Sequence, residues 1–137
     1  MYEKLNGANL PGAGALSYLG DACHSLYVRR MLIEKGIAKS ADLNREALKY
    51  VTAEAQARMY REIADSLTEF EKDVFRRASN STHLNKPKHA SGVDYRYASG
   101  FEAVLGMLFW VGDEERLKFI LDLSHKNITE KKNDTED

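Results

Sequence analysis

The sequence predicts an all-α fold with five to six or more helices in a single domain. Three observations lead to this class. Apolar residues recur at helical spacing along most of the chain, helix-capping signals separate the segments, and no stretch alternates between polar and apolar residues as a half-buried strand would. A chain of 137 residues is long enough to bury a substantial hydrophobic core.

Local signals predict the ends of the first three helices. The first is expected over about 14–35 and stops at Gly36, where glycine can adopt the left-handed conformation that ends many helices. Ser40 is expected to cap a second helix that continues toward Tyr50. Thr52 opens a third helix in a segment rich in strong helix formers.

A capping box predicts the start of a fourth helix. Thr68 stands three residues before Glu71, so that each side chain can bond the other's backbone N–H. This helix is expected to reach about Ser79. The polar stretch 80–92, which contains Pro87, is then expected to form an exposed loop. Loops of this length in a compact domain are usually functional or disordered.

The helical pattern returns over 93–111, the most apolar part of the chain. Asp113 is expected to cap a last helix that ends near Leu123. The remaining segment has no apolar period and mixes charges of both signs. We therefore expect one domain over 1–123, followed by a charged, disordered tail over 124–137.

The cysteine content, the N-terminal residues and the length of the apolar runs indicate the cellular compartment in which the protein works. Cys23 is the single cysteine, which suits a reducing compartment, and the N-terminal residues lack the features of a signal peptide. The longest apolar run, 103–111, is too short to cross a bilayer. A cytoplasmic protein without a membrane partner is therefore expected.

The chain is close to neutral, with a net charge of −1, but its cations are concentrated in one segment. Between positions 76 and 96 five cations stand against one anion, Asp94, and the cations are Arg76, Arg77, Lys86, Lys88 and Arg96. This local basic segment in a neutral protein favours a function for the segment. The alternative is that each of these cations merely solvates a surface loop.

Two carboxylates stand within apolar helices. In the first helix, Asp21 lies next to a stripe predicted to be buried, which consists of Leu16, Leu19, Cys23, Leu26, Tyr27 and Met31. In the fifth, Glu102 is the only ionisable residue between positions 101 and 111. Burying an unpaired carboxylate is costly, so each needs a partner.

Two kinds of partner are consistent with the sequence. Each acid could pair with a cation at a helix crossing, and for Glu102 the candidates are Arg58 and Arg96. Alternatively, Asp21 and Glu102 could share a site for a hard divalent cation such as Mg²⁺, which one or two carboxylates hold together with water and substrate phosphates. His24, one turn after Asp21, is expected to be a packed or solvent-facing histidine and not a metal ligand.

Two ordered motifs carry a family resemblance. The run Leu19-Gly20-Asp21-Ala22 and the later run Gly100-Phe101-Glu102-Ala103-Val104-Leu105-Gly106 resemble the two signature elements of the ribonuclease III catalytic domain. The closest resemblance is to the Mini-ribonuclease III branch, which has this domain without a double-stranded-RNA-binding domain. Further matching stretches lie at 27–29, 50–57 and 94–103.

The resemblance implies a site and a reaction. Asp21 and Glu102 become the principal ligands of Mg²⁺, for which Mn²⁺ can substitute, with Asp94 and Asp42 in supporting roles; for Asp42 a cap or ion pair is preferred. The larger family members carry carboxylates where this chain has Ser17 and Ser99, and the mini branch shares these losses.

The implied function is hydrolysis of double-stranded RNA by a homodimer, leaving 5′-phosphate ends, with the precursor of 23S ribosomal RNA as the substrate and a ribosomal protein as a possible partner. RNA contacts are expected from the cations and nearby polar residues, namely Arg76, Arg77, Asn80, Ser81, Lys86, Lys88 and Arg96. A non-catalytic RNA- or ribosome-binding module of the same fold is the alternative, and metal-dependent cleavage separates the two.

Overall fold

The computed structural model describes the backbone of residues 10–81 and 92–136 and the side chains as far as Lys126. Within these ranges the chain forms six α-helices, a short 3₁₀ turn over 64–66 and no strand. The helices are α1 (Ala13–Glu34), α2 (Ser40–Val51), α3 (Ala53–Ile63), α4 (Glu69–Ser81), α5 (Gly92–Trp110) and α6 (Glu114–Glu136). The predicted all-α class is confirmed.

Several predicted helix starts are confirmed by their hydrogen bonds. The Thr52 hydroxyl accepts a bond of 3.2 Å from the Ala55 N–H. In the capping box, the Thr68 N–H donates to the Glu71 carboxylate at 2.9 Å, and the Glu71 N–H donates to the Thr68 hydroxyl at 3.1 Å. These bonds satisfy backbone donors that have no partner inside a helix.

The predicted signals at Gly36 and Asp113 are confirmed, whereas the predicted cap at Ser40 is not. Gly36 and Gly112 have φ angles of 93° and 80°, the left-handed conformation that favours glycine. Asp113 accepts a bond from the N–H of Arg116 at 3.2 Å and so caps α6. The prediction that Ser40 caps α2 is wrong, because Ser40 is already within the helix and the preceding residue makes no side-chain cap.

The buried face of α1 differs from the predicted stripe. The buried residues are Leu16, Gly20, His24, Val28 and Leu32, spaced four apart. Of the predicted stripe only Leu16 is fully buried, and Leu26 is 71% exposed. Hydrophobic residues occur all around this helix, so their periodicity could not identify the buried side.

Close packing between α1 and α5 sets the buried face of α1. A Cβ atom added to Gly20 would lie 1.6 Å from the Glu102 carbonyl oxygen, and one added to Gly106 would lie 2.0 Å from the Leu16 carbonyl oxygen. Only residues without a side chain allow the two backbones to approach this far. This close approach places Asp21 beside Glu102.

The last helix extends beyond its predicted end. It continues through residue 136 instead of stopping near Leu123, and the side chains of Ser124 and His125 are buried. The core therefore includes residues that were assigned to the tail.

The last helix, α6, is held to α4 by an ion pair of Arg116. The Arg116 guanidinium donates two bonds of 2.8 and 2.9 Å to the fully buried Glu71 carboxylate.

The described residues include only part of the predicted loop over 80–92 and of the predicted tail over 124–137. Asn80 and Ser81 belong to α4, so the helix is longer than predicted and the loop cannot begin at Asn80. The predicted RNA contacts Lys86 and Lys88 lie outside the described residues. None of the described helices is long and apolar enough to cross a membrane.

Candidate active site

The two predicted carboxylates meet at one cleft. This cleft has a volume of about 480 Å³ and lies where α1, α3 and α5 converge. Its polar lining includes Asp21 and Ser17 from α1, Gln56 from α3, and Ser99 and Glu102 from α5. The close approach at Gly20 creates this arrangement, since Asp21 follows the glycine that touches the backbone of Glu102.

Glu102 is the more deeply placed of the two acids. Burial, a hydrogen bond with Asp21 and the negative charge of Asp21 together raise the pKa of Glu102 to about 9, while a hydrogen bond from Gln56 acts in the opposite direction. Asp21 itself is exposed at the cleft. Glu102 is therefore partly buried, whereas Asp21 is open to solvent.

An amide takes the place of the arginine considered as a partner for Glu102. The Gln56 Nε2 atom lies 3.4 Å from Glu102 Oε2, and Gln56 is itself buried. An amide donor satisfies an acceptor but brings no positive charge. The negative charge of the pair is therefore not neutralised by this contact.

Ser17 and Ser99, the two serines that the sequence sets beside the acids, contact each other across the helix crossing. The Ser17 hydroxyl donates a bond of 2.8 Å to the Ser99 carbonyl oxygen. Both residues line the cleft beside Asp21 and Glu102. At these two positions α1 and α5 are joined by a neutral hydrogen bond.

The two acids predicted to support the site have cationic partners. Asp42 accepts a bond of 2.6 Å from Arg45, one turn away on α2, which is the ion pair that the sequence favoured for it. Asp94 lies 3.6 Å from Arg61. Neither is among the described residues that line the cleft, and their supporting roles stay predictions.

The predicted RNA contacts that fall within the described residues lie on helices. Arg76 and Arg77 are exposed on α4, and both form ion pairs with Asp73. Ser81 is exposed at the cleft. Arg96 is exposed on α5, next to Tyr95, which also lines the cleft.

Sequence reasoning missed a chain of buried polar residues behind Glu102. His24 lies 2.9 Å from Gln56 through Nδ1 and 3.0 Å from His125 through Nε2. His125 Nδ1 in turn lies 2.9 Å from the Leu121 carbonyl oxygen. The sequence predicts a packed or solvent-facing His24 and places His125 in the tail. No local motif joins residues so far apart in sequence.

The site offers few ligands for a metal. No cluster of three or more His, Cys, Asp or Glu residues that could hold an ion occurs among the described residues. Asp21 and Glu102 present carboxylate oxygens to an open cleft, which is the donor set that a hard cation accepts when water and phosphate oxygens complete its shell. The arrangement can therefore fit such a cation between the protein and a phosphodiester.

Comparison with known proteins agrees with this geometry. Residues 14–113 match the Ribonuclease III domain family. A Mini-ribonuclease 3 from Thermoanaerobacter sp. is 44% identical over 115 residues, covering 84% of this chain and 81% of that protein. One from Streptococcus pneumoniae is 43% identical over 115 residues, covering 82% and 90%.

The fold has a counterpart among crystal structures. A protein from Fusobacterium nucleatum superposes with a TM-score of 0.79 at 26% identity, covering 88% of this chain and 97% of the other. The helical fold and the matched domain define a ribonuclease III catalytic domain. The chain belongs to the Mini-ribonuclease 3 family, and it is an endoribonuclease of that class.

Proposed function

We propose that this protein is a Mg²⁺-dependent endoribonuclease that cleaves double-stranded RNA, with the precursor of 23S ribosomal RNA as its substrate. The observation that carries the proposal is the meeting of Asp21 and Glu102 at one cleft of a ribonuclease III domain. Among the described residues no cation is paired with Glu102, and its pKa of about 9 means that a bound metal ion would have to displace its proton. A phosphodiester, itself anionic, needs a cation between it and such a pair.

Asp21 and Glu102 would hold the Mg²⁺ ion, with Mn²⁺ as a substitute. When bound, Mg²⁺ polarises the phosphate, activates a water and stabilises the leaving oxygen. The protein's own contribution is to fix the two carboxylates through the tight crossing at Gly20 and to supply the Gln56 donor to Glu102. Water attacks phosphorus and the 3′ oxygen leaves, which gives 5′-phosphate and 3′-hydroxyl ends.

The uncharged side chains of Ser17 and Ser99 support a role for this part of the cleft in binding the substrate phosphate. Carboxylates at these two positions would add negative charge beside the phosphodiester. The hydroxyl-to-carbonyl bond of 2.8 Å instead keeps this part of the cleft neutral. We propose that phosphate oxygens approach over these serines.

The RNA is proposed to lie along the exposed face that leads from α4 to the cleft. Double-stranded RNA is recognised mainly through phosphates and 2′-hydroxyls across its shallow minor groove. Arg76 and Arg77 would contact phosphates, and Asn80, Ser81 and Arg96 would contact the backbone nearer to the cleft. Lys86 and Lys88 are proposed as further phosphate contacts, with the same charge as the helical arginines.

A homodimer is proposed because each domain carries one cleft and a duplex has two strands to cut. Exposed apolar side chains support this assembly, since Tyr18, Leu26 and Ile33 share α1 and Phe109 and Trp110 end α5. We further propose a cytoplasmic location, where precursor ribosomal RNA is processed, and a ribosomal protein as a possible partner in presenting the substrate.

The test is cleavage of a long double-stranded RNA in Mg²⁺, beside the single strands alone and the same duplex in EDTA. We expect cutting of the duplex only with metal, and we expect Asp21→Asn and Glu102→Gln each to lose at least about 100-fold in rate, because an outer-sphere residue alone is typically worth 10- to 100-fold. Asp65→Asn, an exposed carboxylate in the 3₁₀ turn, is the matched control and should cut as wild type does.

Three outcomes are distinguishable. Metal-dependent cutting that both site variants abolish supports the proposal. Duplex binding without cutting by the wild-type protein contradicts it and favours the non-catalytic binding module. Equal cutting of a 23S precursor duplex and of a scrambled duplex of the same length would contradict only the assignment of the substrate.

A further inference from the structure

We propose that Gln56 is a positioning residue for Glu102, and that His24 and His125 fix the direction in which its amide points. The proposal rests on the proposed function, since Glu102 acts there as a metal ligand. It concerns a chain of buried contacts that joins Glu102 to the C-terminal helix α6. The chain runs from Glu102 through Gln56, His24 and His125 to the carbonyl of Leu121.

The direction of every bond follows from one end of this chain. The Leu121 carbonyl oxygen can only accept, and His125 Nδ1 lies 2.9 Å from it. The Ser124 hydroxyl, 3.1 Å from the same ring nitrogen, already donates to that carbonyl at 2.8 Å, so it is not the donor to the ring and His125 Nδ1 carries the proton. In a neutral ring the other nitrogen, His125 Nε2, is then an acceptor. His24 Nε2, 3.0 Å away, must therefore donate to it.

The same reasoning continues toward the cleft. Since His24 donates through Nε2, its Nδ1 atom is an acceptor when the ring is neutral. Burial and the neighbouring His125 lower the pKa of His24 to about 3, so the ring is neutral in ordinary buffers. The group of Gln56 that lies 2.9 Å from Nδ1 must be its NH₂ and not its carbonyl.

The orientation of the Gln56 amide decides which of its two groups faces the Glu102 carboxylate. The Gln56 NH₂ group has two hydrogens, and the second points to Glu102 Oε2 at 3.4 Å. A reversed amide would turn its carbonyl oxygen toward the carboxylate and repel it. The two histidines thus present a donor to Glu102, which favours the carboxylate form that a metal requires.

Burial makes this chain difficult to rearrange. Gln56, His24 and His125 are 3%, 0% and 2% exposed, so a reversed bond could not be replaced by one to bulk water. The ring of His24 also packs edge-on against Phe101, the residue before Glu102, with centroids 5.4 Å apart. Helices α1, α3, α5 and α6 all contribute to holding one carboxylate.

Two measurements test the proposal without RNA cleavage. The first is long-range ¹⁵N–¹H NMR of histidine-labelled, metal-free protein. We expect the proton on Nε2 of His24 and on Nδ1 of His125. The opposite tautomer in either ring would reverse the Gln56 amide and overturn the proposal.

The second measurement is Mn²⁺ binding by electron paramagnetic resonance. Gln56→Met keeps the size of the side chain but removes the donor, and we expect it to weaken binding by about 10-fold, the range for residues that orient metal ligands. His24→Phe keeps the ring packed on Phe101 and should weaken binding in the same direction. The double variant should be no weaker than Gln56→Met alone, since both changes remove one interaction.

A matched control separates positioning from stability. Ile63→Ala removes a fully buried side chain from the same helix, α3, without touching the polar chain. It should lower the melting temperature but leave Mn²⁺ affinity unchanged. Equal loss of affinity in the control, or wild-type affinity in Gln56→Met, would overturn the positioning role.

These outcomes differ from failure of the proposed function. If the wild-type protein cuts duplex RNA with Mg²⁺ and Gln56→Met binds Mn²⁺ as tightly as wild type, only the positioning role is wrong. If the wild-type protein neither binds Mn²⁺ nor cuts RNA, both proposals are wrong.

Discussion

Replacing Glu102 by glutamine should make the metal-free protein more stable above neutral pH, although it removes a proposed metal ligand. The pKa of Glu102 is about 9 in the folded protein against an ordinary value of 4.5. Between these two pH values the folded protein binds one proton more than the unfolded chain does. Stability therefore falls as pH rises through this window.

The size of the effect follows from the two pKa values. Each pH unit in the window lowers the free energy of unfolding by about 1.4 kcal/mol, so the fall between pH 5 and pH 8 is at most about 4 kcal/mol. Water in the open cleft screens the pair, and we expect about 2 to 4 kcal/mol. Glu102→Gln should lack this part of the pH dependence, because its amide does not titrate.

The assay is urea unfolding in EDTA at pH 5 and pH 8, for the wild-type protein and Glu102→Gln. Glu54→Gln, which changes an exposed carboxylate in the first turn of α3, is the control and should follow the wild type. Adding Mg²⁺ at pH 8 should stabilise the wild-type protein and Glu54→Gln but not Glu102→Gln. Parallel pH dependence in wild type and Glu102→Gln would refute the reasoning.

Three further substitutions test the packing that holds the site. Arg116→Met should cost about 3 to 5 kcal/mol in urea unfolding, since it leaves the fully buried Glu71 carboxylate without its cation; a loss below 1 kcal/mol would contradict the buried pair. Tyr50→Phe should stabilise the protein by about 1 kcal/mol, because the buried Tyr50 hydroxyl has no hydrogen-bond partner among the described residues; clear destabilisation would show an overlooked partner. Gly106→Ala should lower the free energy of unfolding by about 1 to 3 kcal/mol or more, as its Cβ would lie 2.0 Å from the Leu16 carbonyl oxygen; an unchanged melting temperature would contradict the close helix crossing.

Local chemistry explains why most helix ends could be predicted from the sequence. Thr52, the Thr68 capping box and Asp113 act on backbone groups within a few residues, and Gly36 ends α1 through its own conformation. Such signals do not depend on the tertiary fold. They were therefore sufficient to place the boundaries between most of the helices.

Contacts between distant residues could not be predicted in the same way. The buried side of α1 is chosen by the crossing at Gly20, not by hydrophobic periodicity, so the predicted stripe was wrong. His125 looked like part of a polar tail because its partner, His24, is 101 residues away in sequence. Burial of a polar side chain depends on which partners the fold supplies.

The candidate site could be predicted from the sequence only in part. Asp21 and Glu102 stood out because each is an acid in an apolar helix, and family motifs joined them. Gln56 lies in the matching stretch 50–57, but a glutamine in a helix rich in polar residues gives no chemical signal of its own. Its role becomes visible only when Nε2 is found between Glu102 and His24.

The most direct measurement for the proposed metal site is an anomalous difference map from crystals grown with Mn²⁺. We predict one peak between Asp21 and Glu102, within about 2.5 Å of a carboxylate oxygen of each, as expected for direct coordination of a hard cation. No peak there, or a peak only at another acid such as Asp42 or Asp94, would contradict the assignment of Asp21 and Glu102 as the metal ligands.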